Sequence, residues 1–227
     1  LYYKIYENIQ MKTKVLLESW RRFLKEEDNI DIAPTLERKE PEKFKFGLVP
    51  MSAKPFHKGH MFLIQEASER CDKVIVYVSI SDRSRKGEIT IYGEDMQYIW
   101  ENIITKYLPR NVKCIYGGSP VGKVYAFLED VSTQDFTQDD IKNETYAIYT
   151  GQDDARRYKD EYYKNIKDRV WIKSFERGDD SPNISGTLMR SYLSNASQDK
   201  FLFLDGLPDM EDKDKEEIFN ILFRRLN

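Results

Sequence analysis

The run from Lys73 to Ile80, Lys-Val-Ile-Val-Tyr-Val-Ser-Ile, leaves few folds open. Its β-branched and aromatic side chains occupy consecutive rather than alternate positions, so the strand they predict has no polar face to offer water and is buried on both sides. Such a strand belongs inside a parallel sheet, and parallel neighbours need long, usually helical, crossovers. The rest of the chain supplies both. Strand-like segments at Phe46 to Met51, Val112 to Tyr116, Thr145 to Thr150 and Val170 to Phe175 alternate with segments of helical period. The latter are Met61 to Cys71, Gly93 to Tyr107, Val121 to Asp130, Asp153 to Tyr163 and Thr187 to Leu193. This predicts an α/β fold, a doubly wound five-stranded parallel sheet with helices on both faces, whose ligands sit beyond the carboxyl ends of the strands.

The ends of the chain read differently. In residues 1–43, Val15, Leu16, Trp20, Phe23 and Leu24 recur at helical spacing and are followed by a charged stretch containing Pro34 and Pro41. That segment is expected either to pack on its own domain or to dock a partner. Residues 44–195 form the predicted sheet domain, and 196–227 a C-terminal helical extension with an amphipathic helix from Asp212 to Leu226. With 36 basic against 39 acidic residues the net charge is −3, which gives no reason to expect nucleic acid as a partner. Apolar stretches are too short to span a bilayer, and no membrane partner is expected. Cys71 and Cys114 read as core thiols, too few for a disulfide framework or a zinc cluster. The start, Leu1-Tyr2-Tyr3-Lys4, shows no secretory signal, and a cytoplasmic location is expected.

Both histidines of the chain fall in the run Lys54-Pro55-Phe56-His57-Lys58-Gly59-His60, between the first strand and the first helix of the sheet. Imidazole N–H groups and the unpaired amides of a helix N-terminus converge there on an anion, and Gly59 allows close approach to the main chain. A second such place is Asn183-Ile184-Ser185-Gly186-Thr187-Leu188-Met189-Arg190, after the last strand. Ser185 or Thr187 can cap the helix that begins there, and Arg190, about one turn on, can reach back toward the same amides and hold a phosphate in bidentate fashion. Ser52 lies near the end of the first strand. The basic turn after the second strand, residues 79–87, offers Arg83 for an acceptor phosphate. At the end of the fourth strand, Asp153 is either a ligand for hydroxyl groups or a helix N-cap.

The His-x-Gly-His turn followed in order by Ile184–Arg190 resembles the nucleotidylyltransferase superfamily, with its HxGH and (S/T)xTxxR signatures, over about residues 44 to 195. The resemblance implies a Rossmann-like domain that transfers a nucleoside monophosphoryl group from a nucleoside triphosphate to a phosphate-bearing acceptor and releases pyrophosphate. It implies catalytic His57 and His60; Lys54, three positions before His57, is assigned from its position to phosphate binding or transition-state charge and counted with them. It also implies a nucleotide site of Ser52, Gly59, Gly151, Asp153, Ile184, Ser185, Thr187 and Arg190, with Gly151 and Asp153 near the ribose and base. Mg2+ would enter on the phosphates of ATP, with no protein metal ligands, and many relatives form homo-oligomers. Among members, the nicotinamide-mononucleotide adenylyltransferases are most similar, which favours ATP as donor and nicotinamide mononucleotide as acceptor. The chain departs from them in carrying Met51-Ser52-Ala53-Lys54 where they often have Gly-Arg-Phe-Gln. Phosphopantetheine adenylyltransferases, cytidylyltransferases and a non-catalytic nucleotide-binding module are the alternatives. Class I aminoacyl-tRNA synthetases share a related signature, but this chain lacks their Lys-Met-Ser-Lys-Ser loop.

Overall fold

The expected central strand is present as Cys71–Val78, here β2, and its buried Val74, Val76, Tyr77 and Val78 lie between two parallel neighbours. Those neighbours are β1 (Phe44–Met51) and β3 (Val112–Tyr116). With β4 (Tyr146–Gly151) and β5 (Val170–Phe175) they make a five-stranded, wholly parallel sheet of order β3-β2-β1-β4-β5. Leu48 of β1 stands in register with Ile75 on one side and Ile148 on the other. The computed structural model describes residues 38–133, 144–179 and 181–224. The helix expected around Val15 to Leu24 lies outside them.

Helices follow the strands as α1 (Lys58–Arg70), α2 (Gly93–Asn102), α3 (Pro120–Thr133), the one-turn α4 (Gln152–Ala155), α5 (Gly186–Ser194), α6 (Ala196–Gly206) and α7 (Asp212–Arg224). Successive strand residues feed opposite cores, as the two-residue period of a strand requires. Val49, Val76, Val78, Ala147 and Tyr149 pack with Met61 and Ile64 of α1, Ile99 and Trp100 of α2, Met189 of α5 and Phe219 of α7. Leu48, Tyr77, Tyr146 and Ile148 face the other way, onto Val124 and Leu128 of α3. Each fully buried aliphatic or aromatic side chain contributes about 1.5–3 kcal/mol.

Two sequence expectations need correction. The segment from Asp153 to Tyr163 is not one helix: after α4 it breaks into turns and a 3-10 segment, Asp160–Tyr162. Burial outweighs local propensity here. Tyr158, Tyr163 and Ile166 all enter the second core, and the five-residue step from Tyr158 to Tyr163 does not repeat on a helix face. Tyr125 of α3 supports the break, its hydroxyl accepting the Lys159 N–H at 3.0 Å and donating to the Arg157 carbonyl. The helix expected to run to Tyr107 ends at Asn102, and a 3-10 turn, Ile104–Tyr107, buries Ile104 instead. Tyr107 then donates to Asp214 Oδ2 at 2.6 Å, tying α7 to the sheet domain.

The start of α2 also sets the site. A Cβ on Gly93 would lie 1.7 Å from the Ile80 carbonyl oxygen, so only glycine lets this helix begin against the end of β2. Asp82 Oδ1 accepts the Gly93 N–H at 2.8 Å and fixes that junction. Cys71 is buried, with a thiol pushed up to about 11 by burial, whereas Cys114 is half-buried against the first core. No helix among the described residues is long and apolar enough to cross a membrane.

Candidate active site

The strand order reverses between β1 and β4, and the chain segments singled out in the sequence gather at the carboxyl ends of these strands and their neighbours. β1 ends at Met51. Buried Ala53 then turns the chain with φ 49°, in the left-handed region that costs a non-glycine residue about 1–2 kcal/mol. His57 is the N-cap of α1, and His60 occupies the third helical position, where its Nδ1 accepts the His57 backbone N–H at 3.3 Å. That bond places the proton of a neutral His60 ring on Nε2, as a donor. The two ring centroids are 3.7 Å apart. His57 is 6% exposed, and its Nδ1 has no hydrogen-bond partner among the described residues.

Both imidazoles are neutral. Burial, followed by the repulsion between the two rings if both were protonated and by the charges of Arg177 and Arg190, holds His57 far below the ordinary histidine value. Burial and then Arg177 push His60 down to about 3. A buried ring nitrogen without a partner, beside a neutral N–H donor and a helix N-terminus, is suited to an anion that brings its own charge. Gly59 packs close: a Cβ there would come within 3.2 Å of the His57 ring and 3.3 Å of Ile184 Cγ2.

Ile184 leads into α5. Ser185, not Thr187, caps this helix, its Oγ accepting the Leu188 N–H at 3.1 Å. A Cβ on Gly186 would sit 3.3 Å from the Lys54 carbonyl oxygen, so glycine keeps α5 close to the histidine turn. Arg190 is 4% exposed and joins three segments. Its Nη1 donates to the Lys54 carbonyl at 2.7 Å, its Nη2 to Thr187 Oγ1 at 2.9 Å and its Nε to Glu88 Oε2 at 2.9 Å. Sequence reasoning reserved this guanidinium for phosphate; the structure also makes it a strut. Lys54 turns toward β2, its Nζ donating to Ser79 Oγ at 3.2 Å and to the Ser81 carbonyl. Burial pushes its ammonium below the ordinary lysine value, with Asp82 opposing.

Arg83 stands in a flap between β2 and α2. Arg83 and Ile91 exchange backbone hydrogen bonds of 2.8 and 3.0 Å, and Gly87, at φ 83°, makes the turn between them. Arg83 Nη2 lies 3.5 Å from Glu88 Oε2.

The structure therefore brings His57, His60, Gly59, Ile184, Thr187, Arg190 and the Lys54 backbone together, and links Arg83 to them through Glu88. Ser52 is exposed just past β1. Gly151 ends β4 with open space where a Cβ would stand, and Asp153 is exposed in α4, whose N-cap is Gly151. Glu88 and Arg177 escaped the sequence reading, because an acidic residue in a basic turn and an arginine in a polar loop carry no periodic signal. Among the described residues, no group of three or more His, Cys, Asp or Glu could hold a metal ion.

Residues 46–93, which span β1, α1, β2 and the flap, match the family described as citrate lyase ligase C-terminal domain. No curated protein matches the chain in sequence. Solved structures similar to it include a bifunctional NMN adenylyltransferase/ADP ribose pyrophosphatase from Francisella tularensis. The identity is 16%, the TM-score 0.48, and the match covers 81% of this chain and 54% of that one. The same bifunctional protein complexed with AMP and a manganese ion matches at 15% identity and TM-score 0.48, over 81% of this chain and 53% of that one. The chain thus spans about half the length of these structures.

Proposed function

We propose that this chain is a nucleotidyltransferase that moves AMP from ATP to a phosphate-bearing acceptor and releases pyrophosphate, with nicotinamide mononucleotide as acceptor and NAD as product. The observation that carries the reading is the meeting of the neutral His57–His60 pair at the start of α1 with Thr187 and Arg190 at the start of α5. Two helix N-termini and two imidazoles, on segments more than a hundred residues apart in the chain, supply the kind of donors that would hold the oxygens of a polyphosphate.

In the proposed reaction an oxygen of the acceptor phosphate attacks the α-phosphorus, and the bond to the bridging oxygen of the leaving pyrophosphate breaks. The acceptor oxygen is already ionised, so no general base is required; the protein aligns the partners and offsets growing charge. His60 Nε2–H donates to the oxygen that gains charge, and His57 holds the neighbouring phosphate. Lys54 supplies positive charge from the β2 side. Ser52, Gly59, Ile184, Ser185, Thr187 and Arg190 seat the triphosphate, Gly151 and Asp153 the ribose, and Arg83 the acceptor. Magnesium, when bound, spreads the charge of the phosphates. The donors here are N–H groups that suit phosphate oxygens rather than the ion, so the metal would be held by the nucleotide's phosphates and not by these residues. The buried Cys71 thiol accords with a reducing, cytoplasmic setting.

The match to a ligase domain over residues 46–93 favours a second reading, in which the acceptor oxygen belongs to a carboxylate. A ligase couples bond formation to cleavage of a nucleoside triphosphate, and the same phosphate clamp would serve. Both readings are tested by pyrophosphate release from ATP and Mg2+ with nicotinamide mononucleotide, phosphopantetheine and a set of carboxylates. Release with the mononucleotide supports the first, release with phosphopantetheine alone keeps the transfer to a phosphate and overturns its acceptor, release with a carboxylate alone supports the second, and release with none of them removes both.

A further inference from the structure

The flap between β2 and α2 places a carboxylate where the proposed reaction needs a phosphate. Glu88 Oε2 is 2.9 Å from Arg190 Nε and 3.5 Å from Arg83 Nη2. One arginine is proposed to serve the nucleotide and the other the acceptor, so a single acidic oxygen bridges both halves of the phosphate site. Oxygen bridging between guanidinium groups is also how a phosphate would bind them.

The flap geometry delivers Glu88 there. The Arg83–Ile91 pairing and the Glu88 N–H bond to the Arg85 carbonyl at 3.0 Å hold the turn, and Gly87 supplies its positive φ. Arg190 does not depend on Glu88 for its position, because Nη1 and Nη2 are held by Lys54 and Thr187. Arg83 and Arg85 act on Arg190 as like charges, so the cluster needs a counter-anion when no substrate supplies one. The neighbouring imidazoles, being neutral, add no charge of their own.

We propose that Glu88 is an internal counter-anion of the phosphate site. Its carboxylate occupies the Arg83–Arg190 position in the resting protein, and a substrate phosphate displaces it with an outward movement of residues 83–91. This inference rests on the nucleotide reading of the site. Its consequence is that the protein binds polyphosphate more weakly than its arginines alone would allow. A residue that merely positioned Arg190 would act in the opposite sense, strengthening the binding.

The test is calorimetric titration of inorganic pyrophosphate into the full chain and its Glu88→Gln and Glu88→Ala variants. Glutamine keeps the size and an acceptor oxygen while removing the charge. Both variants are expected to bind about tenfold tighter, as loss of one competing charge-assisted contact implies. Equal or weaker binding by a folded Glu88→Gln protein, with wild type binding normally, overturns the inference and leaves the nucleotide reading standing. A gain in Glu88→Ala alone also overturns it, since space and not charge would then be responsible. If none of the three proteins binds pyrophosphate, the phosphate site itself is refuted. Hydrogen exchange on the wild type is independent of the variants: pyrophosphate is expected to speed exchange at the Arg83 and Ile91 amides, and unchanged protection would count against the proposal.

Discussion

Arg190→Ala is expected to lower stability as well as nucleotide affinity, because the guanidinium holds the histidine turn and α5 together. The Lys54 carbonyl, on a residue only 4% exposed, loses the donor 2.7 Å away. Leaving a buried acceptor unpaired costs about 1–3 kcal/mol. Truncation also removes two buried methylenes, worth about 0.8 kcal/mol each. Against this, the protein no longer desolvates a guanidinium, whose pKa burial already lowers. The net expectation is a loss of about 2–3 kcal/mol, which for a unit of this size corresponds to a fall in Tm of roughly 4–12 °C. Arg190→Lys should fall between the two, since an ammonium can reach one of the three acceptors but not all. Urea and thermal unfolding followed by circular dichroism measure the change. A variant that melts within a degree of wild type would mean that the three bonds carry no net stabilisation and that the arginine serves the ligand alone.

His60→Ala should reduce turnover about a hundredfold or more, on the order of 3 kcal/mol of transition-state stabilisation, with little change in KM; near-normal kcat in a pyrophosphate-release assay refutes its assigned role. Acid should destabilise the protein through the two histidines. Their folded pKa values lie below the unfolded value of about 6.5, so the stability from excluding the protons is complete above that pH and is lost as pH falls from 6.5 toward 5, approaching about 1.4 kcal/mol per pH unit for each ring. A His57→Asn/His60→Asn variant should lack this slope in denaturant titrations across the same window, and parallel slopes would contradict the buried neutral pair. Gly93→Ala should cost about 3 kcal/mol, because the new methyl meets the Ile80 carbonyl and forces α2 from the end of β2; an unchanged urea midpoint would contradict the packing described.

The sheet was legible because its signal is local and repeated. Val74, Val76 and Val78 enter one core while Tyr77 enters the other, so burial on both faces writes a continuous apolar run that can be read directly. Both helix starts of the site were legible for a similar reason, since caps and glycines are set by nearby backbone needs. What stayed hidden depends on long-range contacts. The Tyr125 hydroxyl breaks a segment of good helix formers at Lys159, and no local pattern announces a partner so far away in sequence. Helix α6 buries only Phe203 and Gly206, so it has little periodicity to detect. Lys54 was assigned to phosphate from its position alone. Its ammonium turns to Ser79 and Ser81, at the end of a strand adjacent in space but 25 and more residues on. Glu88 reads as one charge in a solvated turn until the fold sets it on Arg190.

The central claim is that the paired imidazoles form part of a triphosphate site. These are the only two histidines of the chain, so its imidazole nitrogen spectrum reports this site alone. Titration of ATP and Mg2+ into protein labelled with nitrogen-15 histidine should shift the resonances of both rings along one saturable, one-to-one isotherm, with His60 retaining its proton on Nε2. If neither ring responds at millimolar ATP while the protein stays folded, the histidine turn is a structural cap and the account of the site is wrong.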